Sequence, residues 1–297
     1  MTGDARRTHL DLLAVGLIVG CCALWGLNQV AVKATLPHVP PLLQGGLRSA
    51  AAAALLWLFM ARRGSALLAD DRTTWPGVAA GVLFGIEFCC INFGLQYTTA
   101  SRLVVFVYLA PFVVALGMPF ISRAERLAPL QVTGLVAAFA ALAYAFQEGL
   151  DAGAAPGQLL GDALAVAGAI LWGLTTLLIR ATPLSTAPPE RTLLFQLAVS
   201  APVMLAASAL AGEALPAPSL AAVSSLLFQS AVVAFASYLV WFWLLRHYPA
   251  TRVSSFTFLT PVSGLLFGAL LLGEPVTPRL LTALAGIAIG IWLVNRR

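Results

Sequence analysis

Long uncharged stretches alternate with short polar ones along the whole chain. An α-helix rises about 1.5 Å per residue, so about 20 residues span a hydrocarbon core of about 30 Å. The runs lack the alternating pattern of membrane-spanning strands, which favours helices over a barrel. Six runs of 20 to 32 residues without Asp, Glu, Lys or Arg occupy 12–32, 103–122, 127–147, 192–212, 214–245 and 253–273.

Prolines punctuate the apolar pattern and divide it into ten predicted helices. Proline lacks a backbone N–H and ends or bends a helix, and it recurs in the gaps, as at Pro40, Pro156 and Pro188. We therefore predict an all-α integral membrane protein with ten transmembrane helices. The predicted spans are 12–35, 40–61, 75–97, 101–121, 127–147, 159–180, 190–211, 219–245, 251–272 and 277–294.

The composition agrees with a lipid environment. Of 297 residues, 60% are hydrophobic and only 10% are charged, whereas soluble domains carry about 25% charged residues. The net charge is +5, but the basic residues stand singly or in pairs at the ends of apolar runs, which is typical of membrane topology and not of nucleic-acid binding. We expect no nucleic-acid partner, no metal and no cofactor; the sequence does not indicate an oligomeric state.

The distribution of Lys and Arg predicts the orientation. With the N-terminus placed in the cytoplasm, the inner segments hold 13 of these residues and the outer loops hold three, Lys33, Arg102 and Arg279. Arg48 lies inside a span and completes the 17. Because positive charge favours the cytoplasmic side, we predict that both termini are cytoplasmic. The two sides are called inner and outer below on this basis.

The two halves of the sequence resemble each other. Residues 23–35 (ALWGLNQVAVKAT) and 170–182 (ILWGLTTLLIRAT) share six of thirteen positions at an offset of 147. Residues 100–111 (ASRLVVFVYLAP) and 250–261 (ATRVSSFTFLTP) share five of twelve at an offset of 150. The constant order and offset indicate an internal repeat.

Each repeat contains five helices, so the second repeat enters the membrane from the opposite side. We predict one repeat in 1–150 and an inverted repeat in 151–297. Inverted repeats are typical of secondary transporters, whose substrate sites lie near the midplane between the repeats.

The Leu-Trp-Gly near the start of each half, the Leu-x-Pro in helices four and nine, and the Gly-Glu-Pro at 273–275 resemble the drug/metabolite transporter superfamily. The ten-helix EamA-type exporters are the most similar branch. The first half departs from the pattern, with Arg123-Ala124-Glu125 where a glycine commonly precedes the glutamate. The resemblance implies export of small metabolites, amino acids prominent among them, across a bacterial inner membrane, with a softer similarity to exporters of aromatic and neutral amino acids.

Two charged residues stand deep inside predicted spans, where charge is costly and functional roles are common. Arg48 either receives a substrate carboxylate or belongs to a structural ion pair or snorkels to the outer interface. Glu87 either receives a substrate ammonium, carries a coupling proton, or is merely hydrogen-bonded in its protonated form. Arg48 and Glu87 could also pair with each other.

The repeat selects faces on four helices, because polar groups are unfavourable against lipid. Aromatic and hydrogen-bonding groups on these faces would suit a cavity for neutral or aromatic amino acids, although interhelical packing is an equal alternative for any single residue. On helices one and six the candidates are Trp25, Asn28, Gln29, Trp172 and Thr176. On helices three and eight they are Glu87, Phe88, Tyr238 and Trp241.

Pro111 and Pro261 interrupt helices four and nine at equivalent positions. Each proline removes a hydrogen bond to the carbonyl four residues earlier, so the two kinks are either hinges for alternating access or static bends.

We therefore expect a secondary transporter that exports small metabolites. A nucleotide-sugar carrier is less favoured, because it would need several deep cations and Arg48 is alone. An integral membrane enzyme is the alternative from another class, but the three histidines are scattered and no catalytic cluster or phosphate loop is evident.

Overall fold

The computed structural model describes residues 11–64, 72–121, 128–151, 153–214, 219–248 and 256–294. These residues form ten helical spans, which we number α1 to α10, and contain no strand. The spans are α1 Leu12–Thr35, α2 Pro41–Arg62, α3 Thr74–Gly94, α4 Ala100–Ile121, α5 Pro129–Phe146, α6 Gln158–Ala181, α7 Pro189–Leu210, α8 Leu220–His247, α9 Leu259–Leu272 and α10 Pro278–Val294.

The predicted fold class is confirmed: the protein is an all-α integral membrane protein of ten helices in two inverted five-helix repeats. The first eight helices are long and apolar enough to cross a membrane, and α9 and α10 are shorter apolar helices. Large apolar side chains face outward, among them Trp57, Phe120 and Trp292, as a lipid environment allows. The predicted boundary at residue 150 stays a prediction.

Two predicted boundaries differ from the structure. The third helix ends at Gly94 and not at 97, because the amides of Gln96 and Tyr97 bond to carbonyls three residues earlier and form a tight turn. The ninth predicted helix began at 251, but 251–255 lie outside the described residues. The described part begins with the 3₁₀ turn Phe256–Phe258.

Helix packing follows the repeat. If each helix is exchanged with the one five positions along the chain, the most extensive packing pairs map onto one another. The contact of α1 with α9 becomes that of α6 with α4, and the contact of α3 with α6 becomes that of α8 with α1. The pairs α2 with α7, α4 with α9 and α5 with α10 map onto themselves. The duplicated sequence therefore builds a duplicated architecture.

A pair of glycine contacts shows the same symmetry at the level of single residues. A Cβ placed on Gly26 would lie 2.8 Å from the Cβ of Ser263, and one placed on Gly173 would lie 2.5 Å from the Cβ of Val113. Gly26 and Gly173 are 147 residues apart, and Val113 and Ser263 are 150 apart, as in the sequence repeat. The Leu-Trp-Gly motif thus supplies the glycine that lets α1 approach α9 and α6 approach α4.

Helices α4 and α9 lose regular geometry directly before their prolines. In α4 the α-helical parts are Ala100–Val107 and Ala110–Ile121, so the break precedes Pro111. The 3₁₀ turn before α9 occupies the equivalent place relative to Pro261. Since proline cannot donate to the carbonyl four residues earlier, the breaks follow from the sequence. A hinge role for them stays a prediction.

The middle of α8 is π-helical over Phe228–Ser237, between α-helical segments Leu220–Leu227 and Tyr238–His247. Its repeat partner α3, described throughout, is regular α-helix. π-Helical turns concentrate at functional sites because they change the direction in which side chains point. Apolar periodicity gave no sign of this feature.

Candidate functional site

Three of the predicted site residues lie at one depth in the molecule. Arg48 stands 14 residues before the inner end of α2, and Glu87 and Trp25 each stand 13 residues after the inner starts of α3 and α1. At about 1.5 Å per residue, all three are about 20 Å from the inner helix ends. This depth is somewhat beyond the middle of the spans.

Arg48 is buried and held against an aromatic ring. Its side chain is 3% exposed, and its guanidinium carbon lies 4.1 Å from the centroid of the Phe88 ring. A buried arginine of this kind does not snorkel to the outer surface. Its Nε has no hydrogen-bond partner within the described part of the chain, which leaves a donor available.

Glu87 precedes Phe88 on α3 and is 4% exposed. Its Oε2 also lacks a hydrogen-bond partner among the described residues. Arg48 and Glu87 are close enough for their charges to interact, yet neither of these two atoms is used to pair them. A buried guanidinium and a buried carboxyl group therefore face the interior with bonding capacity unused.

An aromatic group from α1 and α8 borders these charges. The indole N–H of Trp25 donates to the hydroxyl of Ser237 at 2.8 Å. The Trp25 ring lies 5.8 Å from that of Tyr238 and 5.1 Å from that of Trp241. Tyr238 also interacts electrostatically with Arg48. The predicted faces of α1, α3 and α8 thus come together in one region.

The other predicted residues have separate surroundings. Asn28 is buried and Gln29 half-buried on α1, and the side-chain oxygen of each is unpaired in the part that the structure describes. On α6, Trp172 packs edge-on against Tyr108 at 5.8 Å and is 36% exposed. Thr176 donates to the carbonyl of Trp172 at 3.0 Å. The structure brings neither of these α6 side chains into contact with Trp25, and their substrate role stays a prediction.

A cleft of about 450 Å³ opens on the predicted inner side between α1, α2, α7 and α8. This volume lies in the range of small-molecule pockets, about 300–1,000 Å³. Its lining residues farthest from the inner end of α8, Leu239 and Val240, stand at the same height along that helix as Tyr238 and Trp241. Its lining consists of Leu13, Leu17, Phe59, Arg63, Glu190, Leu239, Val240, Trp243 and His247.

The sequence did not predict the structural role of the Gly-Glu-Pro motif at 273–275. Gly273 ends α9 with φ of 65°, a left-handed conformation that favours glycine. The turn directs Glu274 to the start of α4, where it accepts from the amides of Ala100 and Ser101 at 2.7 and 2.9 Å and from the Ser101 hydroxyl at 2.6 Å. The carboxylate therefore satisfies free donors at a helix N-terminus and ties the repeats together on the predicted outer side.

A charged cluster was also missed. Arg102, which we counted with the outer residues at the start of the fourth predicted span, is 5% exposed in the first turn of α4 and pairs with Asp162 and Glu148. The signal was present, since Asp162 and Arg102 both fall just inside predicted spans, where a charge needs a partner.

Comparisons with known proteins agree with the architecture. The model of the EamA-like transporter family matches residues 12–147 and again 159–296. The chain is 29% identical to the uncharacterized transporter YvbV of Bacillus subtilis (strain 168) over 98% of this chain and 93% of that protein. A "Probable amino-acid metabolite efflux pump" of Salmonella typhimurium is 29% identical, over 91% of this chain and 90% of that protein. The pump of the same name in Escherichia coli (strain K12) is 29% identical, over 86% and 85%.

A solved crystal structure shares the fold, with a TM-score of 0.67 and 21% identity over 95% of this chain and 97% of that one. The family model matches each half of the chain once, as the internal repeat requires. With two matches that together cover most of its length, this chain belongs to the EamA-like transporter family.

Proposed function

We propose that this transporter exports small zwitterionic metabolites, foremost neutral and aromatic amino acids, by alternating access. The observation that carries the proposal is a pair of buried side chains with unused bonding atoms beside aromatic rings, the guanidinium of Arg48 and the carboxyl group of Glu87. Buried charge without a partner is unfavourable. A zwitterion supplies both missing partners at once, with its carboxylate at Arg48 and its ammonium at Glu87.

The aromatic group adds a preference for an apolar side chain on the substrate. Trp25, Tyr238 and Trp241 present ring surface next to the charged pair, and Trp172 on α6 is proposed to contribute from the other repeat. Stacking on such rings favours aromatic and neutral amino acids over acidic ones. The names of the relatives in Salmonella typhimurium and Escherichia coli, amino-acid metabolite efflux pumps, support the same substrate class.

A nucleotide-sugar or other organic-metabolite carrier is the second candidate. A pyrophosphate needs several inward-facing cations. Among the described residues, Arg48 is the one Lys or Arg in the middle of a span, which favours the zwitterion. An integral membrane enzyme is the candidate outside transport, and membership of a transporter family speaks against it.

The proposed setting is a bacterial inner membrane with both termini in the cytoplasm and the repeat boundary near residue 150. Single cysteines at Arg63 and Ala154 test the orientation. We expect an impermeant thiol reagent to label the site at Ala154 from outside and to spare the site at Arg63. Labelling in the reverse pattern would contradict the orientation.

Counterflow in proteoliposomes tests the substrate class. Vesicles loaded with unlabelled neutral or aromatic amino acids should accumulate the labelled compound, whereas vesicles loaded with nucleotide sugars should not. Exchange of nucleotide sugars without exchange of any amino acid would overturn the proposal.

A further inference from the structure

Arg102 forms a buried ion-pair cluster that joins the two repeats on the predicted outer side. Its Nη2 and Nε lie 2.6 and 3.2 Å from the two carboxylate oxygens of Asp162 on α6. Its Nη1 pairs with Glu148 in the turn after α5, and Nη2 also donates to the carbonyl of Ala145 at 3.0 Å. The Asp162 side chain is fully buried and that of Glu148 is 16% exposed. One arginine thus holds α4, α5 and α6 together.

The cluster extends to α1 through Thr98 and Lys33. The Thr98 hydroxyl donates to Asp162 at 2.6 Å. Lys33, in the last turn of α1, donates to the carbonyl of Thr98 at 2.5 Å and to that of Leu95. These contacts connect the outer ends of α1, α3, α4 and α6.

Three fully buried amide side chains occupy the outer halves of α2, α3 and α8. Each uses its NH₂ as a donor: Gln44 to the carbonyl of Val32 at 3.3 Å, Asn92 to that of Pro41 at 3.2 Å, and Gln229 to the hydroxyl of Ser225 at 3.0 Å. The carbonyl oxygen of each has no partner in the described structure. Buried acceptors without partners are rare and call for an explanation.

The position of these amides suggests the explanation. Gln44 donates to the carbonyl of Val32, the residue before Lys33. Asn92 lies about one helical turn before Leu95, whose carbonyl accepts from Lys33. Two of the amides therefore lie just inside the contacts that Lys33 makes with the segment after α3. The inner cleft lies at the opposite ends of α2 and α8, which carry two of these amides, and of α1. Water admitted from the outer side would pair the amide oxygens and solvate the separated charges of the cluster together.

We propose that the cluster of Arg102, Asp162 and Glu148 is the outer gate, and that Gln44, Asn92 and Gln229 line the route exposed when it opens. The inference rests on alternating access, which is part of the proposed function. In the conformation described here the gate is closed while the inner cleft is open.

Thiol accessibility tests the gate without measuring transport. In a variant whose four natural cysteines, Cys21, Cys22, Cys89 and Cys90, are replaced, Gln44→Cys serves as the reporter. An impermeant maleimide applied from outside should label it slowly. Adding Asp162→Asn should raise the labelling rate at least tenfold. Glu148→Gln removes only the partly exposed ion pair of the cluster, so it should give a smaller increase in the labelling rate. It replaces Asp162→Asn as the test if that variant does not fold.

The matched control is Arg279→Gln. It breaks the ion pair of Arg279 with Asp151 at 2.6 Å on the same side, but this pair is 29% and 53% exposed and lies outside the cluster. We expect no change in labelling. Equal acceleration by the control, or no acceleration in folded Asp162→Asn and Glu148→Gln, would overturn the gate. Because labelling needs no substrate, these outcomes are separate from failure of the proposed amino acid transport.

Discussion

The guanidinium carbon of Arg48 lies 4.1 Å from the centre of the Phe88 ring. Phe88 follows Glu87 directly on α3, so one helix supplies both the platform for the cation and the nearby carboxylate. A guanidinium on an aromatic face keeps its N–H edge free for a bidentate partner. The relationship explains how a cation can stay inside a membrane protein without a fixed ion pair at its Nε.

Phe88→Leu tests this platform. Without the ring, Arg48 should lose orientation and the KM for amino acids should rise roughly 5- to 30-fold, since a desolvated cation–π contact is worth about 1–2 kcal/mol. Transport assays in proteoliposomes would measure the change. Phe84→Leu is the control, because its ring packs 4.7 Å from that of Phe88. An equal effect of both substitutions would show that packing, and not the cation–π contact, is at work.

Glu87→Gln tests the ammonium partner. Loss of a charge-assisted hydrogen bond of about 1.5–3 kcal/mol should lower gradient-driven flux and counterflow together, by roughly 10- to 160-fold. Both are measured on the same proteoliposomes. If gradient-driven flux disappears while counterflow stays at the native level, Glu87 carries a coupling proton and not the substrate amine.

The glycine contacts yield a stability prediction. Gly26→Ala and Gly173→Ala would place a methyl group within 3 Å of the facing helix, so each should lower the free energy of unfolding by about 1–3 kcal/mol. Gly20→Ala on the same helix is the control, since no atom lies within 4 Å of the new Cβ. Thermal unfolding in detergent compares the three. A destabilising control, or two harmless contact variants, would contradict the close approach of these helices.

Most of the fold followed from the sequence because lipid imposes strict rules. A span needs about 20 apolar residues, and charged residues and prolines recur in the gaps between spans, so the first eight helices were placed to within about three residues. The break before Pro111 followed from the missing donor. The π-helical stretch in α8 did not, since hydropathy records which residues are apolar and not how a helix winds.

The site could be predicted only in part. Arg48, Glu87 and the α1 and α8 aromatics stood out because polar groups inside a span need a reason, and the structure brings them together. The cluster around Arg102 was missed, since whether a charge at a helix end is exposed or buried depends on which helices meet there. The sequence repeat also places Trp25 and Trp172 at equivalent positions on α1 and α6, whereas tertiary packing surrounds them with different residues.

Alanine substitution of these two tryptophans tests that difference. Trp25→Ala should weaken transport of aromatic amino acids more than that of small ones, by roughly 5- to 100-fold for a buried contact of about 1–3 kcal/mol. Trp172→Ala should shift the same preference less, because its ring is 36% exposed. Trp57→Ala, at an exposed position on α2, is the control. If all three variants keep the same preference for aromatic over small amino acids, the tryptophan rings do not contribute to substrate selection.

Competition by three related ligands tests the central claim, that Arg48 and Glu87 recognise the two ends of a zwitterion. The ligands are phenylalanine, phenethylamine without its carboxylate, and 3-phenylpropionate without its amine, each competing against labelled phenylalanine in counterflow. For the native protein, phenylalanine should compete at least about tenfold better than either analogue, as one lost charged hydrogen bond implies. In the Arg48→Gln variant, phenethylamine should compete as well as phenylalanine does. In the Glu87→Gln variant, the compound that competes as well as phenylalanine should be 3-phenylpropionate. If folded Arg48→Gln keeps the full native preference for phenylalanine over phenethylamine, Arg48 does not receive the carboxylate and the account is contradicted.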